Sequence, residues 1–107
     1  EINLHLFEKR FEKDFKVFTA ASGIEGLDKL NMHGQEIDVV ISDMRMPLMD
    51  GLKFIKTAKE KFPNIRYLIL TGYNSDQAIE TALKMGDIDD LIKKPFDYDL
   101  LKKAIIT

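Results

Sequence analysis

Short apolar runs alternate along this chain with segments in which apolar residues recur every three or four positions. The helical spacing predicts five helices, over about residues 2–14, 22–34, 50–62, 75–86 and from 97 or 99 onward. The apolar runs predict four short strands, over residues 16–20, 38–42, 67–70 and 91–92. Strands that alternate with helices are typical of an α/β fold, with a parallel sheet, right-handed crossovers and helices on both faces.

The predicted order begins with a helix, whereas a doubly wound domain normally opens with a strand. We therefore expect a first strand that is absent from this chain, either located upstream of Glu1 in the full protein or supplied by a swapped neighbour. The residues before Thr107 read as a helix interrupted early, so we also expect a longer last helix. Residues 1–107 are accordingly predicted to be one domain that is incomplete at its N-terminus.

Composition narrows the classes of function. The 107 residues are 45% hydrophobic and carry 16 basic and 18 acidic side chains, which excludes intrinsic disorder and does not favour a dedicated nucleic-acid surface. No cysteine is present, so disulfides, thiol catalysis and cysteine-based metal sites are excluded. His5 and His33 are too isolated to indicate a zinc site, and no apolar stretch is long enough to span a membrane. A reducing, cytoplasmic setting fits this composition.

Three polar residues follow the three most apolar strands, at the point where each strand ends. They are Asp43, Thr71 and Lys94. Because ligands of open α/β sheets bind outside the carboxyl ends of the strands, we expect these side chains at one edge of the sheet. A carboxylate can accept a phosphoryl group as a nucleophile, while a hydroxyl and an ammonium group can bind its oxygens. Each residue alone would read as a solvated loop residue; together they predict a phosphoryl-handling site.

The segment around Asp43 resembles the phosphorylation loop of response-regulator receiver domains. Pro47 and the pair Asp50-Gly51 stand at the spacing that this family has after its phosphorylated aspartate. Residues 70–73 resemble the family's hydroxyl motif, and residues 93–96 resemble its lysine–proline motif. The resemblance covers the whole chain and implies a flavodoxin-like, doubly wound parallel sheet.

The resemblance also implies roles for individual residues. Asp43 would accept the phosphoryl group from a histidine kinase or phosphotransfer protein, Thr71 would bond a phosphoryl oxygen, and Lys94 would pair with it. Mg²⁺ would be held by Asp43, by the backbone carbonyl of Arg45 and by an acidic pair expected upstream of Glu1. The family has no direct nucleic-acid contact or membrane segment in this domain; a downstream effector domain or protein and a homodimer are compatible with it.

Three positions depart from the family's pattern or vary within it. Leu91 stands where the family carries an aromatic switch residue, so either the coupling to the outer face is weaker or Leu91 is simply a core residue. Arg45 and Tyr73 would flank the phosphoryl group, and they either slow its hydrolysis or are solvated loop side chains.

The leading interpretation is a signal receiver whose fourth helix, last strand and fifth helix form the readout surface. The resemblance to the family, and not the spacing, implies this surface, and the candidate residues on it are Ala78, Thr81, Ala82, Lys84, Met85, Leu91 and Lys103. A pseudo-receiver that binds partners without phosphorylation is the alternative, favoured by the missing acidic pair. An aspartyl-phosphate hydrolase ranks low, because Arg45 occupies the place of its second acid, so an enzyme is not expected.

Overall fold

The fold is a three-stranded parallel sheet flanked by five helices, seen in a computed structural model that describes residues 4–46, 48–72 and 77–106. The helices are α1 (Leu4–Phe11), α2 (Gly23–His33), α3 (Gly51–Lys61), α4 (Gln77–Met85) and α5 (Tyr98–Ile106), with a 3₁₀ turn at Gly34–Glu36. The strands are β1 (Val39–Asp43), β2 (Arg66–Thr71) and β3 (Asp90–Lys93), in the order β1-β2-β3. Among the described residues, no helix is long and apolar enough to cross a bilayer.

The central strand β2 explains why both faces of the sheet carry helices. Its side chains are buried on both sides, as expected for a parallel strand without polar alternation. Ile69 packs with Ile55 and Ile79 of α3 and α4, whereas Leu70 packs with Phe11 and Leu101 of α1 and α5. The predicted α/β class, with a parallel sheet and helices on both faces, is confirmed.

The prediction of a strand over residues 16–20 is wrong. This segment is not hydrogen-bonded as a strand, although Val17 packs against the aromatic cluster beneath α1 and α5. The residue types at 17–19 favour extended structure, but a strand also needs a hydrogen-bonding neighbour, and within the described residues β1 pairs with β2 alone. The other predicted strands are present within one or two residues of their expected ends.

Local capping accounts for two helix starts. The Ser22 hydroxyl accepts a hydrogen bond from the Glu25 amide at 3.1 Å, as the capping pattern predicts. Asp50 begins α3 in the same way, since its carboxylate accepts a hydrogen bond from the Lys53 amide at 2.8 Å. Ser75, a residue type that can cap the helix predicted over residues 75–86, lies outside the described residues.

Arg66 fastens the end of α5 to the start of β2. Its guanidinium donates hydrogen bonds to the carbonyls of Ile105 at 2.9 Å and Ala104 at 3.0 Å, which lack partners within a helix's last turn.

We expect Arg66→Met to lower the free energy of unfolding by about 2 kcal/mol in urea titrations. The same change at the exposed Arg45 should alter it by less than about 0.5 kcal/mol. Equal effects of the two substitutions would contradict this role of Arg66.

Tyr67 is a buried polar anchor between β2 and the loop that precedes it. Its hydroxyl donates a hydrogen bond to the Phe62 carbonyl at 2.8 Å. Burial, with a smaller contribution from the Asp89 carboxylate, raises the pKa of Tyr67 to about 12. The phenol therefore stays protonated in the folded protein at any physiological pH.

Candidate functional site

The site is built on an ion pair that reaches across the carboxyl end of the sheet. Asp43 ends β1 and Lys94 follows β3; the Lys94 ammonium donates a hydrogen bond to Asp43 Oδ1 at 2.7 Å. Both side chains are partly buried, with 21% of Asp43 and 24% of Lys94 exposed. The pair is therefore shielded from bulk water on several sides while the carboxylate remains accessible.

Thr71 occupies the position between the two partners, at the end of β2. Thr71 is buried, and its carbonyl accepts a hydrogen bond from the Lys94 amide at 2.7 Å. The parallel register sets Asp43 beside Leu70 and Thr71 beside Lys93. The structure thus brings the three strand-end residues to the same edge of the sheet.

The loop from Met44 to Gly51 closes tightly beneath Asp43. The Gly51 amide donates a hydrogen bond to the Met44 carbonyl at 2.8 Å, and the Met44 amide donates a hydrogen bond to the Leu70 carbonyl at 3.1 Å. A Cβ atom on Gly51 would lie 2.4 Å from the Asp43 carbonyl oxygen and 3.0 Å from Ser42 Oγ. Glycine is therefore required here by the close approach of two backbone segments.

Buried contacts around Ser42 support the loop from below. The Ser42 hydroxyl donates a hydrogen bond to the Asp43 carbonyl at 2.9 Å and lies 3.9 Å from Met46 Sδ. Met44, Met46 and Met49 are partly buried against the core, which agrees with methionine as adaptable packing. The motif spacing shows the Asp50-Gly51 pair but does not show why Ser42 and Gly51 are needed.

Other residues singled out in the sequence are placed as follows. Leu91 is partly buried and packs against the core cluster that contains Ile79, as its interpretation as a core residue predicted. Ala82 is only 4% exposed, so it belongs to that core and not to an outer readout surface, where we had expected it. Arg45 is exposed. Glu1, Pro47 and Tyr73 lie outside the described residues.

His33 is less isolated than the sequence indicated. Its Nδ1 lies 3.0 Å from a Glu36 carboxylate oxygen, and its ring stacks on Phe18 with the ring centres 4.4 Å apart. Glu36 also pairs with the Lys16 ammonium at 2.5 Å. Hydrogen bonds, first from Lys16 and then from His33, hold the pKa of the Glu36 carboxyl below its usual value.

The fold and the site define an α/β domain with a lysine-paired carboxylate at the carboxyl edge of a parallel sheet. The chain belongs to the family of the response regulator receiver domain, whose model matches residues 1–106. Members of this family are signalling modules of two-component systems and interact with histidine kinases or phosphotransfer proteins.

Individual relatives agree with this assignment. The chain is 33% identical over 101 residues to sporulation initiation phosphotransferase F of Bacillus subtilis, covering 94% of this chain and 79% of that protein. It is 42% identical over 92 residues to the transcriptional regulatory protein ZraR of Klebsiella oxytoca, covering 85% of this chain but 20% of that protein. A response regulator receiver domain protein from Clostridium thermocellum superposes with a TM-score of 0.88 at 33% identity, covering 96% of this chain and 82% of that structure.

Proposed function

We propose that this chain is a phosphoacceptor signal receiver in which Asp43 accepts a phosphoryl group from a histidine kinase or phosphotransfer protein. The observation that carries the proposal is the 2.7 Å contact between Asp43 Oδ1 and the Lys94 ammonium at the edge of the sheet where Thr71 also lies. Lys94 contacts one oxygen of the Asp43 carboxylate, so the other oxygen would be the one that attacks, and Lys94 lies where charge would develop.

The transfer is a simple displacement. One Asp43 carboxylate oxygen attacks the phosphorus of the donor's phosphohistidine; an oxygen–phosphorus bond forms and the nitrogen–phosphorus bond breaks. The donor imidazole leaves with the bonding electron pair and takes up a proton from solvent. The Lys94 ammonium then pairs with a phosphoryl oxygen, and the Thr71 hydroxyl donates a hydrogen bond to another.

Receiver domains typically bind Mg²⁺ at the phosphorylation site. We propose that Asp43, the backbone carbonyl of Arg45 and acidic residues upstream of Glu1 hold it. The described part of the chain contains no group of three acidic or histidine side chains able to hold a metal, and Asp43 Oδ1 already faces Lys94. These residues therefore fit a Mg²⁺ site only together with the upstream acids, which would supply the oxygen ligands that Mg²⁺ prefers.

The open edge of β1 supports the proposal that residues 1–107 belong to a domain with one further strand. Within the described residues β1 pairs with β2 alone, so one row of its backbone groups has no ladder partner there. A parallel strand on that edge would end beside Asp43 and place its following residues at the metal site. In the full protein a further strand would pair with β1. We therefore expect the backbone amides of residues 39–43 to exchange slowly with deuterium, both those that face β2 and those that face the opposite edge of β1.

The readout surface that we propose consists of α4, β3 and α5. Thr81, Lys84, Met85 and Lys103 are exposed on its helices, whereas Ala82 and Leu91 lie beneath them. Because Leu91 already packs in the core, the phosphoryl group would act through the movement of Thr71. An effector domain or protein on this surface, a homodimer and a cytoplasmic setting belong to the same proposal.

A phosphorylation-independent pseudo-receiver is the second candidate, because the described residues contain no group of three acidic or histidine side chains that could hold a metal at the site. The two functions differ in one measurement. The full-length protein and its Asp43→Asn variant are incubated with Mg²⁺ and acetyl phosphate, and their intact masses are compared. A gain of one phosphoryl group by the parent alone is expected; equal behaviour of both proteins would exclude Asp43 as the acceptor and favour the pseudo-receiver.

A further inference from the structure

Leu48 combines two features that are uncommon for an apolar residue. Its backbone has φ = 68°, a left-handed conformation that residues with a branched side chain rarely adopt, and its side chain is 93% exposed. Met46 and Met49, on either side in the same loop, pack against the core. An apolar side chain on an unfavourable backbone, without packing in the folded domain, indicates a role in binding.

The position of Leu48 relates it to Asp43. It lies in the middle of the loop that follows Asp43 and that the hydrogen bond between the Gly51 amide and the Met44 carbonyl closes. A second exposed aliphatic residue, Ile24, lies beside the same loop: it is 52% exposed and follows Gly23, where a Cβ atom would lie 3.0 Å from Met49 Sδ.

We propose that Leu48 is a contact residue for the protein that donates the phosphoryl group. This inference rests on the proposed function. A donor must bring its phosphorus within bonding distance of the Asp43 carboxylate, so its surface has to cover the loop that carries Leu48. The donor would present an apolar patch next to its phosphohistidine, and burial of the leucine side chain in the complex would strengthen binding.

We expect the side chain of Leu48 to affect the rate of phosphotransfer from a protein donor but not from a small-molecule donor. The Leu48→Asn variant introduces a residue that tolerates the left-handed conformation and removes the apolar side chain. Leu48→Gly relieves the backbone and also removes the side chain. Both should lower kcat/KM for phosphotransfer from a histidine kinase about tenfold, while the rate of phosphorylation by acetyl phosphate stays unchanged.

A matched control is available on the same protein. Met32 is another exposed apolar residue, 74% exposed, near the opposite end of α2, about 14 Å from Gly23 along a helix that rises about 1.5 Å per residue. Met32→Asn should change neither rate. The donor is the autophosphorylated histidine kinase of the source organism that phosphorylates the full-length parent protein fastest.

The outcomes separate this inference from the proposed function. Unchanged transfer from the kinase to both Leu48 variants would overturn the contact role, as would an equal loss with acetyl phosphate, which would place Leu48 in the support of Asp43. If acetyl phosphate modifies the parent at Asp43 but no kinase does, the contact role fails and the proposed acceptor stands. If acetyl phosphate leaves the parent unmodified, the proposed function fails first.

Discussion

Replacement of Lys94 by methionine is expected to slow phosphoryl uptake from acetyl phosphate about 100-fold, the usual effect of removing one charge-stabilising donor from an active centre. Methionine keeps much of the length and the apolar stem of lysine but removes the ammonium group that lies 2.7 Å from Asp43 Oδ1. The charge that builds on the transferring phosphoryl oxygens then has no cationic partner from this position. The rate is measured as the growth of the phosphorylated mass with time.

The neighbouring lysine provides the control for Lys94. Lys93 is exposed at the end of β3, one residue away, and the same substitution there removes the same charge without removing the ion pair. Lys93→Met should therefore leave the rate within about twofold, because exposed charges contribute weakly. A matching loss in both variants would show that net charge near the site matters, and that the Asp43–Lys94 contact does not.

Replacement of Gly51 by alanine is expected to lower the free energy of unfolding by about 3 kcal/mol, at the upper end for overpacking. The added methyl group would lie 2.4 Å from the Asp43 carbonyl oxygen and 3.1 Å from Met44 Cα, and both of these atoms belong to backbone that cannot rotate away. The loop must shift to make room, and Asp43 must shift with it. We therefore also expect phosphoryl uptake to fall at least about tenfold, since small displacements of reacting groups are costly.

Gly72 is the matched control for Gly51. It follows Thr71 at the same edge of the sheet, but a Cβ atom there would meet no atom of the described residues within 4 Å. Gly72→Ala should change the free energy of unfolding by less than about 1 kcal/mol in urea titrations, with stabilisation as the expected sign because the unfolded chain loses freedom. A larger loss from Gly72→Ala than from Gly51→Ala would contradict the close approach of the two backbone segments.

The sequence predicts the positions of the three strand-end residues better than it predicts the sheet. Asp43, Thr71 and Lys94 were recognisable because each follows an apolar strand, and parallel strands bring their carboxyl ends to one edge. The segment 16–20 has residue types as favourable for a strand as those of 39–41, yet only the latter is paired. Pairing depends on a neighbour elsewhere in the chain, which local preference does not encode.

Features that arise from packing in the folded chain could also not be predicted from the sequence. The need for glycine at residue 51 comes from its approach to the Asp43 carbonyl. Leu48 is exposed in a loop whose methionines, Met44, Met46 and Met49, pack against the core. The resemblance to the family placed Ala82 on the outer surface of α4, whereas the structure buries it with Ile79 in the core. These properties follow from packing and not from residue type alone.

The most direct test of the account is the chemical location of the phosphoryl group. The full-length protein is treated with acetyl phosphate and Mg²⁺, reduced with borohydride, which converts an aspartyl phosphate to homoserine, and then digested and sequenced by mass spectrometry. If Asp43 is the phosphoacceptor, we expect homoserine at residue 43 and nowhere else. Homoserine at Asp50 or at another aspartate instead, or no homoserine at all, would contradict the assignment of Asp43 as the phosphoacceptor.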